Sequence, residues 1–385
     1  MDITPSEEHI LLAESASKFL ATSYSYAERR RIEASGTGYD ADIWKQFAEL
    51  GWLSLPLPEA HGGIGCGAVE VGVLMKAFGH SLVVEPYIPT VVLGAGLIAG
   101  AGSEEQKATM LPMVADGRLL LAFAHVEREA GFSLSHVATK ARRDGGGWIL
   151  NGSKTLVLGG PHAERYIVSA RLSGETSGVR GIGLFMVDRD TAGLSVRNYA
   201  LLDGSRAADL RLDEVRLDSC ALLGDSEDAF PVIEKVVDLA IVALCSEALG
   251  AMERLLDATV AYTKARFQFG RPLSDNQVLK HRMVEMAVRC EEARSIVLYA
   301  SLNASGEAAQ RSRAASAAKA KIGVMARYVA EQAVQLHGAM GVTDELDIGT
   351  YFKRLMVVDT CFGPPAFHFR RFAALSPYGA GIEGI

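Results

Sequence analysis

The sequence predicts an α+β protein of several domains, with a helical domain first, an antiparallel β-domain in the middle and a helical bundle at the C-terminus. Apolar residues recur with a helical period in the first and last parts of the chain, and fall into short runs between turns in the middle. The 385 residues, 49% of them hydrophobic, suffice for two or three domains of about 150 residues. We place the boundaries at residues 1–121, 122–225 and 226–385.

The first of these domains is predicted to consist mainly of helices. Apolar residues within 6–20 fall roughly on one helical face, and residues 43–50 repeat the pattern before Gly51, a residue suited to ending a helix. Ser103 and Gln106 have the spacing of a capping box, in which each side chain binds a backbone amide at the start of a helix.

Residues 94–99, GAGLIA, match the G-x-G-x-x-A pattern of a dinucleotide-binding loop. That pattern also requires a strand before the glycines and a helix that opens at them. The next helix signal is instead Ser103, and no strand–helix–strand alternation follows. We therefore favour small residues in a closely packed helix over a nicotinamide nucleotide site.

The middle domain is predicted to be antiparallel sheet. Its short apolar runs are 148–150, 166–170, 183–187 and 210–212. Gly145–Gly147 and Asn151-Gly152 are turn signals, and the second pair is typical of a two-residue hairpin. The C-terminal domain returns to the helical period over 231–266, 276–303 and about 308–337, long segments that usually pack as a bundle.

Composition excludes several classes of function. The net charge of −7 argues against a nucleic-acid-binding protein. No apolar run approaches the roughly 18 residues of a membrane helix, and Met1–Glu8 lacks the features of a signal peptide. The five cysteines are scattered and the nine histidines have no metal-ligand spacing. We therefore expect a cytoplasmic protein with reduced thiols and no metal.

Two C-terminal segments contain residues of the kind that a pyrophosphate site needs. Arg266 begins the segment RFQFGRPL, and Gln335 begins QLHGAMG. A cation beside glycines that expose backbone donors suits phosphate groups. The same residues would also fit the ends of two helices, where cations and glycines are favoured for structural reasons.

Together with four other segments, these two resemble the acyl-CoA dehydrogenase family, in the family's order and over essentially the whole chain. The other segments are ELGWLSLPLPEAHGGIG at 49–65, GSEEQK at 102–107, LNGSK at 150–154 and RLDEVRL at 211–217. The resemblance implies an α–β–α fold that ends in a four-helix bundle, usually assembled as a tetramer. It also implies FAD as cofactor, acyl-CoA as substrate and an electron-transfer protein as acceptor.

The resemblance also implies the cofactor-binding residues. Arg266 would contact the FAD pyrophosphate, with Phe269 and Gln277 nearby. The adenosine end would be lined by Gln335, Gly338 and Ala339. In this family these residues serve an FAD that is lodged mainly in a neighbouring subunit.

The flavin-contacting segment of the β-domain departs from the family pattern. Where the family has T-E-P-x-x-G-S-D, this chain has VEREAGFS from Val126, so Val126 and Phe132 replace a Thr and a Ser. The family's W-I-T becomes Leu156-Val157-Leu158. Lost hydroxyl groups mean lost hydrogen bonds to the flavin, worth about 1 kcal/mol each.

The catalytic carboxylate is missing from both of the positions that the family uses. One position is Gly363 and the other is Ala240, beside an intact Asp238. Glu247 is the candidate base that remains, seven residues further along the same helix. An internal ion pair is the alternative interpretation of Glu247, and Asp359 is a weaker candidate base.

This pattern predicts a degenerate subunit of an α2β2 acyl-CoA dehydrogenase, which completes the FAD site across an interface. The resemblance is to the small subunit of the pimeloyl-CoA type or to a steroid-degrading relative. One alternative is a self-sufficient homotetramer that uses Glu247 or Asp359 as its base. The other alternative is a non-catalytic assembly protein.

Overall fold

A computed structural model of the chain describes residues 5–376, so the first four residues of the segment 1–8 lie outside the described residues. The chain forms two compact units. Within the described residues, the helical unit contains 5–31, 68–83 and 241–376. The sheet unit contains Ile32–Gly67 and Val84–Ala240.

The N-terminal part of the chain is helical, as predicted. Its helices are α1 (Glu7–Ser23), α2 (Tyr26–Ala34), α3 (Ala41–Glu49), α4 (Ala68–Ser81), α5 (Gly96–Ala101) and α6 (Glu104–Ala115). The capping box of Ser103 and Gln106 is confirmed at the start of α6. Gly51, with φ of +76°, follows the end of α3 in the left-handed conformation that favours glycine.

The glycines of residues 94–99 lie within helix. This confirms the prediction of small residues in a closely packed helix, which was favoured over a nucleotide site. A π-helix, Ile88–Ala95, runs directly into α5, so the strand required before a dinucleotide loop is not formed. A Cβ on Gly94 would lie 2.5 Å from the Leu121 Cβ, and one on Gly96 would lie 3.3 Å from the Val236 Cγ1. Small residues are needed here for the approach of neighbouring elements.

Within residues 5–376, seven strands of the sheet unit form one sheet. They are β1 (Leu121–Ala124), β2 (Lys140–Asp144), β3 (Gly147–Leu158), β4 (Arg165–Arg171), β5 (Ile182–Asp188), β6 (Leu194–Ala200) and β7 (Arg206–Leu217). The order is β1-β4-β2-β3-β7-β6, and β5 pairs with β4. Its core includes Trp148 and Phe185, whose rings meet edge to face at 5.2 Å.

Two predictions about this sheet need correction. Four strand pairs are antiparallel, but β1 and β2 each pair with β4 in parallel. Parallel pairs need long crossover connections, here the chain from β1 to β4, and local turn signals do not reveal them. The predicted hairpin turn at Asn151-Gly152 is wrong as well, because both residues lie inside β3 at a shift of register.

Gly152 is required by a close approach rather than by a turn. A Cβ at this position would lie 2.5 Å from the Thr139 Oγ1. A glycine inside a strand often marks such a bulge. The hairpin between β2 and β3 turns instead at Gly145 and Gly146, as their spacing predicts.

The C-terminal helices match the predicted segments closely. They are α7 (Phe230–Ala265), α8 (Gln277–Asn303), α9 (Ala308–His337), α10 (Ile348–Thr360) and α11 (Pro365–Ala374). A small hairpin of β8 (Phe267–Gln268) and β9 (Arg271–Pro272) joins α7 to α8. Helix α9 packs against α8, α10 and α11 in the C-terminal helical bundle.

Helices α4 and α7 cross at glycine contacts within the helical unit. A Cβ on Gly79 would lie 1.8 Å from the Glu247 carbonyl oxygen. A Cβ on Gly250 would lie 1.9 Å from the Lys76 carbonyl oxygen. Only glycine permits this backbone separation, and the crossing fixes the place of Glu247 in the unit.

Candidate functional site

The helical unit contains an open cavity of about 450 Å³, which we call the C-terminal pocket. It lies where the end of α7, the β8–β9 hairpin, the start of α8 and the end of α9 come together. Its lining residues are Tyr262, Arg266, Gln268, Phe269, Leu273, Val278, Leu279, Arg282, Gln335, Leu336, His337, Gly338, Ala339 and Met340.

Five of the six predicted cofactor-binding residues line this pocket, namely Arg266, Phe269, Gln335, Gly338 and Ala339. The sixth, Gln277, directly precedes the lining residue Val278. The structure therefore brings together two segments that are about seventy positions apart in the sequence. Whether they bind FAD stays a prediction.

The charge of the C-terminal pocket is positive. Within the described residues, the Arg266 guanidinium forms no hydrogen bond or ion pair, and no acidic side chain lines the pocket. Arg282 adds a second guanidinium, whose Nη1 donates to the Gln332 Oε1 at 3.3 Å. Sequence reasoning missed Arg282, although it lies four residues after Val278 and so on the same helical face. Two guanidiniums without a lining carboxylate suit a diphosphate.

A stacked pair of rings forms one wall of the pocket. The Tyr262 and His337 ring centroids are 4.4 Å apart, and the Tyr262 hydroxyl donates to the His337 carbonyl oxygen at 3.4 Å. The His337 Nδ1 donates to the Ala333 carbonyl oxygen at 2.8 Å, and burial lowers the pKa of this imidazole. The wall is therefore uncharged at neutral pH, which leaves the positive charge to the arginines.

The end of α9 opens the pocket at Gly338. Its φ of +61° and ψ of −139° form a conformation that a side chain disfavours. A Cβ there would meet nothing among the described residues within 4 Å. Position 338 is thus open to a ligand. These features fit the pyrophosphate and adenosine of FAD: unpaired cations, an approachable backbone and apolar walls.

In the sheet unit, Glu127 of the flavin-contacting segment is buried in a hydrogen-bond network. It accepts from the Lys154 Nζ at 2.7 Å and from the Thr139 Oγ1 at 2.7 Å. Burial alone would raise the pKa of Glu127, but Lys154 and Thr139 outweigh it and lower that pKa. Burial lowers the pKa of Lys154 to about 8. Glu127 therefore has a structural role in this unit.

The segment that replaces W-I-T is held in an unusual conformation. Leu156 has φ of +51°, and its amide donates to the Tyr199 hydroxyl at 3.1 Å and to the Asp209 Oδ1 at 3.3 Å. Burial would raise the pKa of Asp209, but hydrogen bonds from Thr155, Arg197 and Tyr199 lower it to about 2. The backbone at Leu156 is thus fixed, while its side chain offers no hydrogen bond.

The two family positions for the base carry no acid in the structure. Ala240 is fully buried in α7, and Gly363 lies in the turn after α10. Glu247 is only 4% exposed, and its Oε1 and Oε2 accept from the Arg354 Nε at 2.6 Å and Nη2 at 2.8 Å. This geometry favours the internal ion pair for Glu247. Asp359 is 3% exposed, and its Oδ2 is 2.5 Å from the Arg327 Nη2.

The described residues contain no group of three or more His, Cys, Asp or Glu residues that could hold a metal ion. In the same range, no helix combines the length and apolar character needed to cross a membrane.

Family models match the three parts of the chain in sequence. The acyl-CoA dehydrogenase N-terminal domain matches residues 6–118, the middle domain residues 122–220 and the C-terminal domain residues 230–374. A curated relative, an acyl-CoA dehydrogenase of Bacillus subtilis, is 32% identical over 314 residues, 77% of this chain and 79% of its own length.

Solved structures of the same fold include two with paired names. A variant of the Tcur3481–Tcur3483 steroid ACAD has a TM-score of 0.86 and 31% identity, covering 97% of this chain and 99% of its own. The ChsE4–ChsE5 complex from Mycobacterium tuberculosis has a TM-score of 0.84 and 26% identity, covering 96% and 97%. With all three family models matched in order, this chain belongs to the acyl-CoA dehydrogenase family.

Proposed function

We propose that this chain is a partner subunit of a heterotetrameric, FAD-dependent acyl-CoA dehydrogenase that desaturates a bulky acyl-CoA at its α,β bond. It supplies the C-terminal pocket for the pyrophosphate and adenosine of an FAD whose flavin lies mainly in a neighbouring subunit. The catalytic base comes from the partner chain. The observation that carries this proposal is a contrast: the C-terminal pocket is assembled, whereas the base positions carry Gly363 and Ala240.

FAD is the cofactor of the family, and when bound it accepts the hydride from the substrate's β-carbon. The role of this chain's residues is to bind and orient. Arg266 is unpaired within the described residues, so it can form charge-assisted hydrogen bonds to a phosphate without breaking an existing ion pair. Arg282 adds charge on the same side, and Gly338 allows the ligand to approach the backbone.

The hairpin supports a site that is shared between chains. Phe269, at the hairpin tip, is 92% exposed and has φ of +54°, and Phe267 is 60% exposed. Large exposed aromatic side chains are enriched at protein interfaces. Their place beside Arg266 fits a cofactor that a second chain covers.

Proton abstraction requires a positioned group that can accept a proton. Glu247 uses both of its carboxylate oxygens in hydrogen bonds to Arg354, and Asp359 is paired with Arg327. The alternative of a self-sufficient enzyme would require one of these buried acids to leave its ion pair.

The paired names of two structural neighbours support the heteromeric arrangement, and the steroid ACAD among them supports a bulky acyl group.

The remaining expectations follow from the same proposal. An electron-transfer protein is the expected acceptor of the reducing equivalents. A cytoplasmic location fits the five cysteines, which are free in the structure, because disulfides are rare in that compartment.

The test is the visible absorption spectrum of the purified chain, first alone and then co-expressed with a family member that carries the acid. We expect little flavin in the chain alone and about one flavin per pair in the complex. Arg266→Gln should lower the flavin content of the complex. Arg271→Gln is the matched control, because Arg271 does not line the pocket and its Nη2 donates to the Asn276 Oδ1 at 2.6 Å. One flavin per chain together with turnover by the chain alone would overturn the proposal.

A further inference from the structure

The turn between α10 and α11, Cys361–Pro364, has a backbone that excludes most residues. Phe362 has φ of +57° and Gly363 has φ of +114°. A Cβ on Gly363 would lie 2.6 Å from the Phe367 Cδ1 and 3.2 Å from the His368 Nε2. Both the conformation and the lack of space therefore require glycine at position 363.

A buried lysine of α9 holds this turn. The Lys319 side chain has 0% exposure. Its Nζ donates to the Gly363 carbonyl oxygen at 2.9 Å and to the Asp359 carbonyl oxygen at 3.0 Å. Burying an ammonium group is costly unless hydrogen bonds compensate it. Lys319 thus connects the last turn of α10 to position 363 itself.

A buried histidine of α11 holds the same turn. His368, with 0% exposure, donates from its Nε2 to the Phe362 carbonyl oxygen at 3.0 Å. Because that partner can only accept, the ring proton must be on Nε2. Burial, and then the charge of Lys319, lowers the pKa of His368 to about 3. The ring is therefore neutral at physiological pH and keeps this tautomer.

We propose that Lys319 and His368 are positioning residues that hold the turn Cys361–Pro364 in a conformation that only glycine allows at position 363. The inference rests on the proposed function, because position 363 matters as a place where the family carries its catalytic acid. In this chain that place presents backbone atoms alone. A base could not be regained there by a single substitution, and the absence of the acid is built into the packing of α9 and α11 against the turn.

A double-mutant cycle between Lys319→Met and Gly363→Ala tests the proposal. Thermal unfolding of the parent, both single variants and the double variant is followed, together with hydrogen exchange of the His368 amide. Gly363→Ala should lower the unfolding midpoint of the parent by several degrees. In the Lys319→Met variant the same substitution should lower the midpoint by less than half as much. The reason is that a released turn can adopt a backbone that alanine allows.

Controls separate this coupling from a general loss of stability. Lys321→Met removes an exposed lysine from the same helix, and Gly349→Ala changes a glycine with ordinary helical backbone. Lys321→Met should show no coupling with Gly363→Ala, and Gly349→Ala should show none with Lys319→Met. Additive effects of Lys319→Met and Gly363→Ala would overturn the proposal, because a lysine that contributes only stability would lower every midpoint equally.

If Lys319→Met does not fold, His368 supplies a second cycle that leaves Lys319 in place. His368→Gln keeps a donor near the position of Nε2, whereas His368→Leu removes it. In the His368→Gln variant, Gly363→Ala should lower the unfolding midpoint as much as in the parent. In the His368→Leu variant it should lower the midpoint by less. Equal penalties in both backgrounds would contradict a positioning role.

One more variant distinguishes failure of this inference from failure of the proposed function. Gly363→Glu should lower the unfolding midpoint and yield no desaturation of a bulky acyl-CoA, such as the CoA thioester of a steroid side chain, by the chain supplied with FAD. An unchanged midpoint would overturn the locked turn, whatever the activity. Turnover by the unmodified chain alone would overturn the proposed function and leave the coupling at the turn intact.

Discussion

The ion pair of Glu247 and Arg354 provides a direct test of the role of Glu247. Glu247→Gln keeps the shape of the side chain but removes the charge that faces a guanidinium with only 18% side-chain exposure. Breaking a buried pair from one side costs about 3–5 kcal/mol, because the other charge stays buried and loses that carboxylate. We expect about 3 kcal/mol here, since Arg354 retains some contact with solvent. In a folding unit of 150–250 residues this lowers the midpoint by about 6–12 °C.

The assay is calorimetry of the purified chain, combined with turnover of the assembled enzyme well below its transition. Glu331→Gln is the control, because Glu331 is exposed on α9. Replacing both Glu247 and Arg354 by Met should recover much of the loss, since neither charge of this pair then remains buried. A Glu247→Gln variant with an unchanged midpoint, retained flavin and turnover reduced by several decades would refute this reasoning. It would identify Glu247 as the base.

Two further predictions concern packing and pH. Gly250→Ala should lower the unfolding midpoint, because its Cβ would lie 1.9 Å from the Lys76 carbonyl oxygen; an unchanged midpoint in calorimetry would exclude so close a crossing of α4 and α7. Asp209→Asn should flatten the loss of stability in acid. The pKa of Asp209 is lowered to about 2, so its contribution is present above about pH 4 and is lost as the pH falls through its folded-state pKa. Denaturation curves of parent and variant across this range test the second prediction, and parallel curves would contradict it.

The helices were predictable because their signals are local. The apolar period over 231–266 and the capping residues Ser103 and Gln106 act within a few residues, and the structure follows both closely. Whether two strands pair in parallel or antiparallel was harder to predict from the sequence. Strand β1 pairs with β4 after a connection of about forty residues, and nothing in either strand alone specifies a parallel neighbour. The predicted hairpin turn at Asn151-Gly152 was wrong for a similar reason. Gly152 is needed because Thr139 lies close to it, and the residues around Gly152 in the sequence do not indicate that contact.

The site shows the same division between local and distant information. Arg266 and Gly338 stand out because helix ends followed by glycines are local patterns. Arg282 does not, since only the fold brings it to the same pocket. Lys319 had a weak signal: a lysine on the buried face of an alanine-rich helix must find partners there. Those partners are backbone carbonyls, which every residue has, so no sequence pattern could name them.

The missing base alone is weak support for a binding role. The closed turn at position 363 and the ion pairs of Glu247 and Asp359 make that support stronger. A single loss of the acid at position 363 would leave a turn that could accept a side chain again. Here the turn is closed by its backbone, by Phe367 and by two buried donors. The acids that remain nearby, Glu247 and Asp359, each pair with an arginine, and at Glu247, where both carboxylate oxygens are engaged, removing the acid should destabilise the fold. Proton transfer by Glu247 would therefore require this chain to give up stability, whereas the proposed binding of a phosphate by Arg266 would break no side-chain hydrogen bond or ion pair of the described residues. This contrast supports the proposed role of a subunit that holds the cofactor while a partner removes the proton.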